Sequence, residues 1–481
     1  MLFNSFHFLV FFPVVATIFF FLPYFRRWIW IFLASCYFYI AFIPAYILVL
    51  FALILIDYAA GILIEKASDK KRRKRWLVFS LVANLCLLGF FKYYDFFLLS
   101  SAGVVNFLGF EGLDPQVLKL VLPIGLSFHT FQSMAYTIEV YRGKQKAERH
   151  LGIYAVYVLF FPQMVAGPIE RPQNLLHQFR QKQDLDEDLA AGGLRLMLVG
   201  FFKKIVIADR LALVVNQVYG APTEYSGPAL ALATYFFAFQ IYCDFSGYSD
   251  IAIGAARVMG FRLMNNFERP YFSQSVAEFW RRWHISLSTW FRDYVYIPLG
   301  GNRVSGWRWQ RNILIVFILS GLWHGANWTF VLWGAIHGVY ILASETLRPL
   351  RSTVKERLRI PLGSGWLRAA RVLLTFHLVL VAWIFFRAKS VSDALYILAH
   401  FFDWGTGWSG GYLGLTSFEM FLAFFFIGVL LVGDFLKGAG GFERFIRPRP
   451  VWVRWPMYYV LILTILFFGR FDARDFIYFQ F

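Results

Sequence analysis

The chain has 481 residues, of which 59% are hydrophobic, 21% aromatic and only 16% charged, against about 25% charged in soluble globular proteins. Apolar stretches of the roughly 20 residues needed to cross a bilayer recur from end to end, which excludes a water-soluble globular chain. The net charge of +18 does not point to nucleic acid. The basic residues form short clusters between apolar runs, the pattern of cytoplasmic loops, where anionic membrane lipids meet most of their charge.

In chain order, Leu2–Phe25 carries no charged side chain, no basic leader and no small-residue cleavage pattern, and reads as the first retained helix. Apolar runs predict spans at 5–25, 28–43, 45–64, 76–97, 117–140, 151–167, 194–215, 229–244, 311–328, 330–346, 372–387, 418–435 and 451–469. The segment 275–297 is too polar for a simple span and is expected to be a re-entrant or interfacial amphipathic helix. Irregular backbone at that depth needs a covering of protein or a water-filled cavity, so a central cavity is expected around 246–310. No internal repeat or low-complexity linker appears, so residues 1–481 are expected to form a single domain. The fold class expected is all-α, a polytopic transmembrane helical bundle.

Loop charges set the orientation. Lys66–Arg75 holds seven Lys or Arg residues, which places it in the cytoplasm. The basic loops Arg142–Arg149, Arg348–Arg371 and Lys437–Arg449 are also expected inside, whereas Ser100–Gln116, with no basic residue, is expected outside. One further crossing puts the aromatic tail, residues 470–481, on the outer face. The three cysteines, Cys36, Cys86 and Cys243, lie far apart in apolar segments. They offer neither a zinc spacing nor a disulfide framework, and no metal is expected.

Two segments carry ionisable groups suited to chemistry. The uncharged run Ile313–Ser344 includes Trp323-His324-Gly325-Ala326-Asn327-Trp328. An ionisable residue in such a run is costly and is by default a functional-site hypothesis, and Gly321 and Gly325 let backbone or a ligand approach His324. A membrane histidine can equally be a hydrogen-bonding strut between helices, and the pattern leaves both open. Rotation along one helix would carry His337 well round from His324, which makes it structural. In the second segment, Trp280–Tyr294, helical spacing puts Arg281, His284, Ser288 and Arg292 on one polar stripe, opposite Trp283, Leu287, Trp290 and Tyr294. An interfacial helix with snorkelling arginines explains the stripe but not its histidine. No G-x-S-x-G elbow, Walker loop or H-E-x-x-H motif is present. Asp244 and Asp250, six residues apart, read as loop or cap residues rather than a carboxylate pair.

Taken together, Phe279–Arg303, the WHGANW string, Asp244-Phe245-Ser246-Gly247-Tyr248-Ser249-Asp250, Leu122-Pro123-Ile124-Gly125-Leu126-Ser127-Phe128 and the opening Met1-Leu2-Phe3-Asn4-Ser5 resemble the membrane-bound O-acyltransferase (MBOAT) family. The similarity runs through nearly the whole chain and is nearest to the branch of bacterial alginate O-acetyltransferase membrane subunits. The resemblance implies that His324 is the family's invariant histidine and His284 its second polar site residue. It also implies a cytoplasmic thioester donor such as acetyl-CoA as co-substrate, with no bound cofactor, an extracytoplasmic polysaccharide acceptor, a bacterial inner-membrane location and a separate SGNH-type outer-face transferase or esterase as partner.

On this reading a thioester is already activated, so the enzyme must chiefly supply a general base and a dry, aligned site. A histidine buried in an apolar bundle favours its neutral form, the form that accepts a hydroxyl proton. Arg281, Arg282 and Arg292 are expected to bind the phosphates of the donor. The tail Phe476-Ile477-Tyr478-Phe479-Gln480-Phe481 suits an aromatic belt at the outer interface. It also resembles the C-terminus of the small membrane partner used in teichoic-acid D-alanylation, which implies that Tyr478 relays the acyl group. Two other functions fit the composition: a transporter or flippase of lipid-linked sugars, and a scaffold of an exopolysaccharide-export complex.

Overall fold

The computed structural model describes residues 1–42, 44–109, 115–118, 120–350, 353, 364–406, 413–437, 446–471 and 476–477. Among the described residues every regular element is a helix, and the protein is an all-α, multi-pass membrane protein. Among the described residues six helical segments are long and apolar enough to cross a membrane: Pro44–Lys66, Lys70–Phe107, Gly227–Val258, Gly365–Arg387, Ser417–Leu436 and Val451–Phe468. Backbone proximity divides the chain into two compact units, Met1–Met197 with Ile251–Met264, and Leu198–Asp250 with Asn265–Phe481.

The first unit begins with α1 (Phe6–Phe21), whose N-terminus is capped by the Ser5 hydroxyl, and α2 (Tyr24–Ile40). It continues with α3 (Ile47–Lys66), α4 (Lys70–Leu88) and α5 (Tyr94–Phe107). The Asp69 carboxylate caps α4 just ahead of its basic first turn, where it accepts the otherwise free Arg72 N–H. The outward-facing apolar side chains of these helices, among them Phe79, Phe97 and Val104, suit a lipid surround. Then come α6 (Leu126–Tyr141), α7 (Leu151–Leu159), the single turn α8 (Pro172–Leu175) and the start of α9 (Glu187–Phe201). One buried carboxylate ties α3, α4 and α6 together. Asp57 accepts from Ser80 Oγ at 2.6 Å and from Asn84 Nδ2 at 2.9 Å, with Thr137 Oγ1 3.1 Å from Ser80. Such side-chain bonds are what make a polar residue tolerable between spans. The span expected at 151–167 is cut short. Helix α7 ends at Leu159 and the buried stretch 160–170 is irregular; its neighbours satisfy the freed carbonyls, with Gln132 and Gln163 both donating to Tyr157 O.

The second unit begins at Leu198 in the end of α9, which a π-helical turn, Phe202–Ala208, joins to α10 (Asp209–Gly220). Next are α11 (Gly227–Val258), of which Gly227–Asp250 belongs here, and the short helices α12 (Val276–Arg282) and α13 (Ile285–Phe291). A helical hairpin follows, α14 (Trp307–His324) and α15 (Trp328–Thr346). The last helices are α16 (Gly365–Arg387), α17 (Val391–His400), α18 (Ser417–Lys437) and α19 (Val451–Phe468).

Three glycines close the hairpin. A β-carbon at Gly321 would stand 2.1 Å from Phe330 O, one at Gly334 2.2 Å from Phe317 O, and one at Gly325 2.1 Å from the Phe330 ring. The space beside His324 is therefore occupied by the neighbouring helix. Because Gly321 faces backbone, Gly321→Ala is expected to destabilise the protein by about 1–3 kcal/mol, the usual cost of overpacking. A thermal midpoint in detergent equal to that of the unchanged protein would show that the hairpin is looser than this.

Candidate active site

His324 is the last residue of α14, and the chain reverses through Gly325–Asn327, where the Asn327 side chain accepts the Thr329 N–H and caps α15. The reversal buries His324 among aromatic rings, with centroids 4.9 Å from Trp323, 5.0 Å from Trp333 and 5.2 Å from Phe386, all edge-on. His337, expected on the same helix, lies across the turn on α15. Its ring is 5.1 Å from the same Trp333, and its Nδ1 accepts from Trp280 Nε1 at 3.3 Å. That engagement supports its structural reading.

The expected single amphipathic helix at 275–297 is broken in the middle. Helix α12 stops at Arg282, and His284 adopts φ 42°, ψ 56° before α13 begins at Ile285. This left-handed conformation is sterically disfavoured for a side chain with a β-carbon. Backbone pairing holds it: Glu268 N–H donates to Arg282 O at 2.9 Å, and Ile285 N–H donates to Asn266 O at 3.0 Å. The buried Asn266 carboxamide adds a clamp, its Oδ1 accepting from Ser286 N at 3.2 Å and Ser286 Oγ at 2.8 Å, and its Nδ2 lying 3.3 Å from Ser249 Oγ on α11. The turn takes His284 out of the polar stripe and into the interior, edge-on to Phe245 at 4.6 Å.

The two histidines therefore meet. Their ring centroids are 6.4 Å apart, with Trp323 5.9 Å from His284, and both are almost fully buried. His284 lies outside the six long apolar helices, and burial holds its imidazole well below the usual histidine range, which favours the neutral ring. The three arginines have other surroundings or partners. Arg281 is exposed, Arg282 pairs with Glu278 at 2.6 Å, and Arg292 pairs with its neighbour Asp293 at 2.8 Å. Tyr478 lies outside the described residues. Phe476 and Ile477, just before it, are buried. The Phe476 ring packs 5.7 Å from Phe245, the ring that also touches His284.

Asp244 and Asp250 are neither loop nor cap residues, since both lie within α11. Each faces one of two adjacent lysines on the π-turn: Lys203 Nζ is 2.7 Å from Asp250, and Lys204 Nζ is 2.6 Å from Asp244 and 2.9 Å from Asp209. Two successive lysines inside the apolar run 194–215 were the available signal for this network. Asn266 carries no comparable signal.

A helical membrane fold whose buried histidines come from a WHGANW hairpin and a strained turn defines a class, and the comparisons agree: residues 150–385 match the membrane-bound O-acyltransferase family. The chain belongs to that family and is a multi-pass membrane O-acyltransferase. It is 41% identical to a probable alginate O-acetylase of Azotobacter vinelandii, over 74% of this chain and 68% of that one. Identity to a peptidoglycan O-acetyltransferase of Helicobacter pylori is 36%, over 77% of this chain and 72% of the other. A teichoic acid D-alanyltransferase of Streptococcus thermophilus is 30% identical, over 55% and 68%.

Proposed function

We propose that the protein moves acetyl groups from acetyl-CoA on the cytoplasmic side of a bacterial inner membrane to an extracytoplasmic polysaccharide of the alginate type. The observation that carries this is the pair of buried histidine rings 6.4 Å apart, together with the O-acetylase relatives. His324 is the general base. It takes the proton of the attacking hydroxyl as the oxygen adds to the thioester carbonyl, and returns it to the departing CoA sulfur when the tetrahedral intermediate collapses. Neutral His284 donates a hydrogen bond to the oxyanion formed between those steps, the kind of fixed donor that contributes most in a water-excluded site.

The hydroxyl that attacks first is that of Tyr478. A phenol is a poor nucleophile at its free pKa of about 10, and a neighbouring base activates it. The resulting aryl acetate passes its acyl group to a polysaccharide hydroxyl on an SGNH-type partner, which regenerates the phenol without a further energy source. The packing of the buried Phe476 against the Phe245 ring supports a tail that reaches this region.

The test is release of CoA, with capture of labelled acetyl, by purified protein supplied with acetyl-CoA. A transporter or scaffold would leave the thioester intact. The same assay weighs the arginines. Replacement of Arg281, Arg282 and Arg292 by lysine is expected to raise the apparent KM for acetyl-CoA more than it lowers kcat, because lysine lacks the guanidinium fork that matches phosphate. An unchanged KM with lower protein levels would make these residues anchors or structural pairs, in keeping with the Glu278 and Asp293 contacts.

A further inference from the structure

Directly after α19 the chain meets the π-turn 202–208. Arg470 N–H donates to Ile205 O at 3.1 Å. Arg210 donates to Phe468 O at 2.6 Å, and Arg470 pairs with Glu419. Further on, Ile477 N–H donates to Asp244 Oδ2 at 2.7 Å, while the other oxygen of that carboxylate is held by Lys204 at 2.6 Å. The tail is thus attached at two points to the same π-turn, through its backbone at Ile205 and through Lys204 and Asp244. Lys204, Asp244, Phe476 and Ile477 are each at most 5% exposed. The Phe476 ring fills the gap between Tyr248, at 4.9 Å, and Phe245, at 5.7 Å.

The charges explain why this is a seat rather than a chance contact. Asp244 shares Lys204 with Asp209 in an apolar interior, where a carboxylate oxygen without a donor is strongly unfavourable. The Ile477 N–H supplies that donor, in a bond strengthened by the carboxylate's charge. The contact uses the backbone of the tail, so it fixes where the chain runs without depending on the side chain at 477.

We propose that Lys204 and Asp244 are positioning residues, a latch that seats the C-terminal segment through the Ile477 N–H and so registers the tail against the histidine site. The consequence for rate rests on the tail acting as acyl carrier; the latch itself does not. Two variants of the full-length protein test it. Asp244→Asn removes the charge, and Ile477→Pro removes the donor N–H without altering Lys204, Asp244 or Asp209, with Ile477→Ala as the control that trims the buried side chain and keeps the N–H. The expected results are faster removal of the C-terminal residues by a carboxypeptidase, and an acetyl-transfer kcat lowered by about tenfold to a hundredfold, the scale of a small misplacement of a reacting group, with the KM for acetyl-CoA unchanged. A merely structural ion cluster would not produce that split in the proline variant. If Asp244→Asn fails to accumulate, Ile477→Pro decides alone. A tail that stays resistant overturns the latch, and a loosened tail with an unchanged rate overturns its positioning role. Full acetylation by Tyr478→Phe with the tail still resistant would instead remove the carrier reading and leave the latch standing.

Discussion

Replacing His324 by alanine is expected to lower polysaccharide acetylation by at least about 10²–10⁴-fold, the range typical of a lost general base, while the protein still inserts at normal levels. The fold should survive because the hairpin is closed by Gly321, Gly325 and Gly334 against Phe330 and Phe317, contacts that do not involve the imidazole. The ring does fill space between Trp333 and Phe386, so some stability will be lost with it. His324→Gln separates the two effects, since it keeps most of the volume and a hydrogen-bonding group but cannot accept a proton at neutral pH. Both variants should be equally inactive if basicity is what matters. Near-normal acetylation in His324→Ala would end the assignment.

Replacing Tyr478 by phenylalanine should be nearly as damaging, although it removes a single oxygen. The ring remains for packing, so loss of acetylation would isolate the hydroxyl as the acyl carrier. The direct observation is an acetyl adduct on the C-terminal peptide of the unchanged protein by mass spectrometry, accumulating when the acceptor is withheld. Full acetylation by Tyr478→Phe would reduce the tail to an interfacial anchor and leave direct transfer from the His324 site.

Much of the fold is legible because apolar run length speaks directly to helix length. The runs at 311–328 and 330–346 foreshadow α14 and α15 to within a few residues at each end, and His324 is visible as the one ionisable group at their junction. The surroundings of the histidines are less legible. Helical periodicity across 281–292 is unbroken in the sequence, and nothing in it signals a left-handed residue at 284; the break is imposed by Asn266 and Glu268, from a segment some twenty residues earlier. Likewise the carboxylates at 244 and 250 take their meaning from Lys203 and Lys204, about forty residues away in sequence. Spacing rules describe neighbours along a helix, whereas these contacts are made between helices.

At position 284 backbone and chemistry ask for different residues. Glycine enters a backbone of φ 42° with no steric cost, whereas histidine is held there by Asn266 and its neighbours, which keep the turn closed. Glycine would relieve the backbone but empty a fully buried ring site beside Phe245 and Trp323, and the cavity left behind offsets the relief. A search for sturdier variants at 284 therefore has little to gain, and it would remove one of the two histidines on which the proposed chemistry rests.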